Sequence, residues 1–333
     1  MGHIIITDEE LKQYGPLNSK ADKLRALYNQ QRESWPALKK GALDLDQIKK
    51  RTVTLDNQEL IIQFNPARMA SVSAKVDSSS IKARPCFLCA QNLPSEQRGI
   101  IVGSSTVALA NPMPIFPMHF TLTHPEHCLQ DISGRFEEFL AISKELSDEH
   151  VVFFNGALAG ASAPDHHHLQ SCPIDSFPLV KNLRSSASSR KELATQGSVE
   201  IETVKFCNNN YILLASKSAS ELTQLLEKSI ASLTNHHKNG KEMLNILSYY
   251  EADEGWSVIL IPREKHRPSC FFEEDPKKLL ISPATVEMSG IIVTARESDF
   301  ERITSKDIEV IFNEVMLNTT SLNKFTQSLI ETK

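Results

Sequence analysis

Gly160-Ala161-Ser162-Ala163-Pro164-Asp165-His166-His167-His168-Leu169-Gln170 is the stretch on which the reading of this chain turns. It follows an apolar run, Val151-Val152-Phe153-Phe154, that reads as a buried strand, with Asn155-Gly156 turning out of it. If the chain extends again from His166, alternate side chains share a face. His166, His168 and Gln170 then point one way, and His167 and Leu169 the other. A histidine can act as a covalent nucleophile towards a phosphoryl or nucleotidyl group when its second ring nitrogen is held in one tautomer. Donors beside it must then meet the phosphate oxygens. His168, with Gln170 two residues on, supplies that pair, and Gly160 and Ser162 offer backbone and hydroxyl donors from the preceding turn. The competing reading is a metal-binding or merely solvated histidine cluster.

Outward from this stretch, the composition sets bounds. A chain of 333 residues with 41% hydrophobic and 23% charged residues can bury one large core or two ordinary ones. A net charge of −5 gives no reason to expect nucleic-acid binding. The N-terminus does not read as a secretory leader, and no apolar run reaches membrane-spanning length. Six cysteines do not suggest a disulfide framework. The expectation is a cytoplasmic protein with reduced thiols and no membrane partner.

The rest of the chain reads as mixed helix and strand. Residues 8–33 are helical with a break at Gly15-Pro16, and a hairpin turns at Asp56-Asn57. Residues 65–84 read as a serine-rich loop, 131–149 as an amphipathic helix, and 182–198 as a mobile loop. Strands are expected at 100–102, 107–110, 119–123, 199–206, 211–215, 243–250 and 256–261, with helices at 219–237 and 305–331. A strand followed by Pro125-Glu126-His127 is echoed by a strand followed by Pro262-Arg263-Glu264-Lys265-His266. The echo suits two similar α+β halves joined in one sheet.

Cys86 and Cys89 are spaced for one tetrahedral metal, but a single CxxC is half a zinc site. A redox pair or two buried thiols are the alternatives. His119 and His124 are among the possible further ligands. Arg263, Lys265, His266 and Arg267, and Lys181, Arg184, Arg190 and Lys191, are candidate cations for an acceptor phosphate, though solvated charges are the plainer reading of each.

His166-x-His168-x-Gln170 resembles the signature of the transferase branch of the histidine-triad superfamily. That group contains galactose-1-phosphate uridylyltransferase, the GDP-hexose phosphorylases and the diadenosine tetraphosphate phosphorylases. The hydrolase branch carries a third histidine where this chain has Gln170. The resemblance implies that His168 becomes nucleotidylated, that Gln170 holds the phosphate, and that Asn155, Gly160 and Ser162 line the approach. It implies one structural zinc held by Cys86, Cys89, His127 and His166. Asp165, between Pro164 and the first histidine, departs from the uridylyltransferase pattern. Ser282 to Gly290, Ile291 to Arg296, Asp299-Phe300 and Phe177 to Lys181 are similar to the GDP-hexose phosphorylases.

The implied fold is α+β, with two histidine-triad-like halves sharing an antiparallel sheet and helices packed on it. A helical and hairpin extension would occupy residues 1–80, the catalytic half 81–200 and the second half 201–333. The implied activity is nucleotidyl transfer or phosphorolysis. Its substrates would be a nucleoside diphosphate sugar or a dinucleoside polyphosphate, with phosphate or a sugar phosphate as acceptor, in a possible homodimer. A hydrolase of the same superfamily and a non-catalytic nucleotide- or metal-binding protein are the other classes.

Overall fold

A computed structural model describes residues 2–74, 76–185, 189–236 and 243–331. Its strands are β1 (Lys49–Leu55), β2 (Gln58–Phe64), β3 (Gly99–Val102), β4 (Thr106–Ala110), β5 (Phe120–Thr123), β6 (His150–Asn155) and β7 (His168–Pro173). They continue with β8 (Arg190–Gln196), β9 (Val199–Phe206), β10 (Asn209–Ser216), β11 (Leu244–Glu251), β12 (Gly255–Pro262) and β13 (Ile291–Thr294).

Ten of these strands form one antiparallel sheet in the order β3-β4-β5-β7-β6-β11-β12-β10-β9-β8. The order reads as two five-stranded units meeting at β6 and β11. In each unit a helix, Phe136–Leu146 or Ala219–His236, connects the third strand to a following hairpin. The two α+β halves in one sheet are therefore real, but the sequence echo is not what relates them. Pro125-Glu126-His127 follows β5, whose counterpart is β10, whereas Pro262 ends β12.

Burial explains the order. β6 and β12, in the middle of the sheet, are buried at every residue, as a strand covered on both faces must be. β9, next to the edge, alternates between buried and exposed residues. One face carries the helices Lys20–Ser34, Phe136–Leu146, Ala219–His236 and Thr319–Ile330, over Val152, Phe154, Leu169, Ile246 and Leu260. The other face packs Val151, Phe153, Leu213, Leu247 and Ile259 against a second layer. That layer contains a three-stranded sheet, β1-β2-β13, with β13 parallel to β2, and the helix Ser305–Val315. The N-terminal hairpin thus shares its sheet with a strand from residues 291–294. Asp56 and Asn57 form its turn in the left-handed region, at φ 52° and 60°, as a two-residue hairpin of this twist requires.

Four expectations are corrected. The polar segment 182–198 is not a loop throughout: Pro178–Ser185 is helical, Arg190–Gln196 is the edge strand β8, and residues 186–188 lie outside the described residues. The serine-rich segment 65–84 contains the short helices Met69–Val72 and Ser78–Lys82. The helix placed at 131–149 begins only at Phe136, because the Asp131 carboxylate accepts the Ser133 N–H at 2.8 Å in a turn before it. The C-terminal helix is two, Ser305–Val315 and Thr319–Ile330. It breaks where Met316 bridges to Arg263 and the Leu317 N–H donates to the Pro262 carbonyl at 3.3 Å, and Asn318 caps the second piece. Among the described residues, no helix is long and apolar enough to cross a membrane.

Candidate active site and metal centre

β6 and β7 pair from His150–Pro173 to Phe153–Gln170, and beyond that no pairing joins them. The parted ends carry the histidine run and Asn155. Strand geometry begins at His168, so His166 does not extend the strand. Leu169 packs in the helix-side core, and the His167 ring lies 6.2 Å from Phe154 and 6.3 Å from His124. His167 faces away from the site, where burial pushes its pKa down to about 3.

His168 is 5% exposed. Its Nδ1 lies 2.8 Å from the His166 carbonyl oxygen, which can only accept, so Nδ1 carries the hydrogen and Nε2 the lone pair. Burial pushes its pKa down to about 4, which keeps the ring neutral and nucleophilic at pH 7. Gln170 is next on the same face. The Ile115 backbone N–H points at His119 Nδ1 at 3.3 Å, so Nδ1 accepts and Nε2 is the protonated nitrogen. His119 Nε2 then donates to the Gln170 amide oxygen at 2.9 Å, which leaves the Gln170 NH2 group as the donor offered to a ligand. His119 is fully buried, and burial pushes its pKa down to about 3. It is not in the metal cluster; it orients Gln170, a role its position in the sequence does not reveal.

The N-terminal segment reaches this site. Gln63 and Asn65 donate to the carbonyls of Ile115 and Pro114 at 3.4 and 3.1 Å, and Arg68 donates to that of Met113 at 3.1 Å. They hold the loop from which Ile115 meets His119. The Arg68 charge acts on both His119 and Glu287, so a cation that sequence reading missed stands on the site's side of the sheet.

Of the approach residues, Asn155 has its amide oxygen fully used. It accepts from the Asn245 amide at 3.0 Å, the Thr285 N–H at 2.9 Å and the Thr285 hydroxyl at 2.7 Å, leaving its NH2 group free to donate. Gly160 has φ 98°, and a Cβ there would come within 2.6 Å of the Ala284 Cβ, so both conformation and space require glycine. Ser162 is half-buried on the same turn.

Glu287 is 8% exposed, and burial pushes its carboxyl up to about 7, against the pull of the Ala284 N–H at 2.9 Å. A carboxyl raised from 4.5 to about 7 on folding contributes stability that is fully present below 4.5 and is lost as pH rises through 7. At ~1.4 kcal/mol per pH unit the window is worth on the order of 3 kcal/mol. Glu287→Gln is expected to remove that decline. Urea unfolding at pH 4.5 and 8 should show the variant gaining on the wild type between the two; parallel changes would refute the assignment.

Most of the proposed acceptor cations are committed elsewhere. Arg263 is fully buried and donates to Asn245 and to the carbonyls of Pro283, Val315, Lys265 and His266. Lys265 pairs with Glu314 at 2.9 Å, and Arg184 with Glu251 at 3.0 Å. Arg267 donates to Ser282 and to the Val72 and Ala74 carbonyls and stacks on Phe271. His266 is buried enough that its pKa falls to about 4. Arg190 and Lys191 sit on β8, six strand positions from β7, roughly 29 Å at ~4.8 Å per strand. Lys181 is exposed.

Cys86, Cys89, His127 and His166 come together, with one ligand atom from each lying within 4.8 Å of all the others. Cys86 Sγ lies 3.4 Å from His166 Nδ1, and Cys89 Sγ 3.2 Å from His127 Nδ1 and 3.6 Å from His166 Nδ1. Tetrahedral ligands at ~2.3 Å for sulfur and ~2.0 Å for nitrogen would stand about 3.5 Å apart. The four residues therefore fit one cation. The opposite nitrogen of His166, Nε2, faces the His124 carbonyl at 2.9 Å, which fixes the tautomer that frees Nδ1 for a metal. Burial, then the hydrogen bond with Cys86, push the Cys89 thiol up to about 11, so a cation is what would hold it as thiolate at neutral pH. Asp165, the residue that departs from the uridylyltransferase pattern, pairs with Arg84 at 2.9 Å and ties the histidine run to the cysteine loop. His124 lies outside the cluster.

The chain is an α+β protein built on one ten-stranded antiparallel sheet with helices packed on it. Within it, residues 186–333 match the GDPGP1-like C-terminal domain, and residues 27–173 match DUF4922, a domain of unknown function. No curated protein sequence matches the chain. Yeast Ap4A phosphorylase Apa2 in complex with AMP superposes with a TM-score of 0.57 at 13% identity, over 87% of this chain and 96% of that one. Its complex with Ap4A gives 0.57 and 13%, over 87% and 97%. A further crystal structure of yeast Apa2 gives 0.52 and 14%, over 85% and 94%.

Proposed function

We propose that the chain is a nucleotidyltransferase of the phosphorylase type, working through a covalent nucleotidyl-His168. The observation that carries this reading is the pairing on one face of His168, its Nδ1–H on the His166 carbonyl, with Gln170, its amide turned outward by His119. His168 Nε2 attacks the α-phosphorus of a nucleoside diphosphate sugar or a dinucleoside polyphosphate. The N–P bond forms as the P–O bond to the leaving phosphate breaks. That leaving group departs as a phosphate anion and needs no proton. The ring becomes cationic, and its Nδ1–H points at a carbonyl oxygen that stabilises the charge. Gln170 and the Asn155 NH2 group donate to the phosphoryl oxygens. An oxygen of inorganic phosphate then attacks the same phosphorus, breaks the N–P bond and releases a nucleoside diphosphate.

Zinc is the cation that best suits two thiolates and two imidazoles in a closed tetrahedral set. It would be structural, fixing the loop and the first histidine of the run. Support for nucleotide ligands comes from the GDPGP1-like domain and from the Apa2 fold, whose yeast representative holds AMP and Ap4A. The test is incubation with Ap4A or with GDP-glucose, with and without phosphate, and chromatography of the nucleotides. Phosphate-dependent release of ADP with ATP, or of GDP with glucose 1-phosphate, is expected. Turnover equally fast without phosphate would make the protein a hydrolase and overturn the reading.

A further inference from the structure

The loop from His124 to Gln130 serves the three histidines in turn. The His124 carbonyl accepts from the His166 ring at 2.9 Å. The His124 N–H donates to the His167 carbonyl at 3.0 Å, and the His167 N–H donates to the Cys128 carbonyl at 2.7 Å. Gln130 takes both backbone groups of His168: its amide oxygen accepts the N–H at 2.8 Å, and its NH2 group donates to the carbonyl at 2.9 Å. The same NH2 group donates to the Asn155 carbonyl at 2.9 Å. Gln130 is 2% exposed.

This arrangement falls where β6 and β7 part. Continuing the register of Phe153–Gln170 by two residues would set Asn155 opposite His168. The side chain of Gln130 bonds to the backbone of both, in place of a ladder rung. It satisfies groups that parted strands would otherwise leave buried and unpaired, each a cost of ~1–3 kcal/mol. It also stands between β6 and β7 at the end where Asn155 and His168 lie.

We infer that Gln130 is a positioning residue for His168, an amide wedge that holds β6 and β7 open and fixes the backbone from which the imidazole projects. The inference rests on His168 as the nucleophile and adds the link from the metal centre. His127, a member of the four-residue cluster, precedes Gln130 by three residues, so ligand and wedge share one short loop. A misplacement of ~1 Å at a reacting atom costs on the order of 10²-fold in rate.

The test uses the full chain with Gln130→Met, which keeps length and loses all three bonds. Gln130→Glu, which keeps the acceptor and loses both donors, covers the case in which the first variant does not fold. Two quantities are read: the single-turnover rate of labelling by Ap4A carrying radioactive α-phosphate, and the His168 tautomer by long-range nitrogen–proton spectroscopy on protein with labelled histidines. The expected result is labelling slower by ~10²-fold with half-saturation changed less than ~3-fold. Metal content should equal that of the wild type, and His168 should pass from a single Nδ1–H tautomer to a mixture. Wild-type rate and wild-type tautomer signals overturn the inference, as does a loss of metal with the rate per loaded chain unchanged. If the wild type takes no label from Ap4A, that substrate fails, and the tautomer signals alone decide the role of Gln130.

Discussion

His168→Ala is expected to abolish covalent labelling by nucleotides carrying radioactive α-phosphate and to lower phosphorolysis by ~10⁴-fold or more, the scale on which removal of a covalent nucleophile acts. The histidines beside it are committed elsewhere. His166 turns into the cysteine cluster, His167 packs near Phe154 on the opposite side of the sheet, and His119 spends both ring nitrogens on Ile115 and Gln170. The fold should be unaffected, because the backbone of His168 is held through Gln130 whatever its side chain. Affinity for a nucleotide should fall only a few-fold. Acid-labile label on the variant at the wild-type stoichiometry would place the nucleophile elsewhere.

The second large effect concerns the metal. Cys86→Ser, or exhaustive chelation, is expected to remove a stoichiometric zinc and lower the melting temperature by on the order of 10 °C, since a lost structural ligand costs several kcal/mol. Activity should fall with it, through the same short loop that carries His127 and Gln130. Because Cys89 is held as a thiol by burial, metal binding must expel protons, so affinity should rise steeply with pH. Elemental analysis and melting curves at pH 6 and 8 check both statements. Wild-type protein free of zinc, with the same melting point as Cys86→Ser, would refute the structural role.

Much of the fold is legible in the sequence where local and tertiary demands agree. The apolar run 151–154 and the Asp56-Asn57 turn specify a central strand and a hairpin whatever surrounds them. β8 is not legible, because Arg190–Gln196 is an edge strand with polar residues on both faces and no period-two signal. The break at Met316–Asn318 is invisible locally, since it is made by a bridge to Arg263, more than fifty residues away. Arg263 itself looks like a surface cation in Pro262-Arg263-Glu264-Lys265-His266, and becomes a buried strut because five acceptors converge on it.

The site divides in the same way. His168, Gln170 and the cysteine pair follow from residue type and spacing. His127 and His166 can be joined to Cys86 and Cys89 only through family resemblance, since up to 80 residues separate these ligands. Gln130, Arg68 and the orienting role of His119 depend on backbone geometry that only the assembled sheet creates.

A sheet that writes the same unit twice has one hairpin to spare. The β11–β12 hairpin is zipped along its whole length, from Leu244–Pro262 to Glu251–Gly255, whereas its counterpart β6–β7 stops at Phe153–Gln170. Where the first copy carries imidazole and amide, β12 carries Val258, Ile259, Leu260 and Ile261, all buried. The open seam belongs to one unit and the closed seam to the other. β12 lies in the buried middle of the sheet, so apolar exchanges along it should weaken the protein without touching its chemistry.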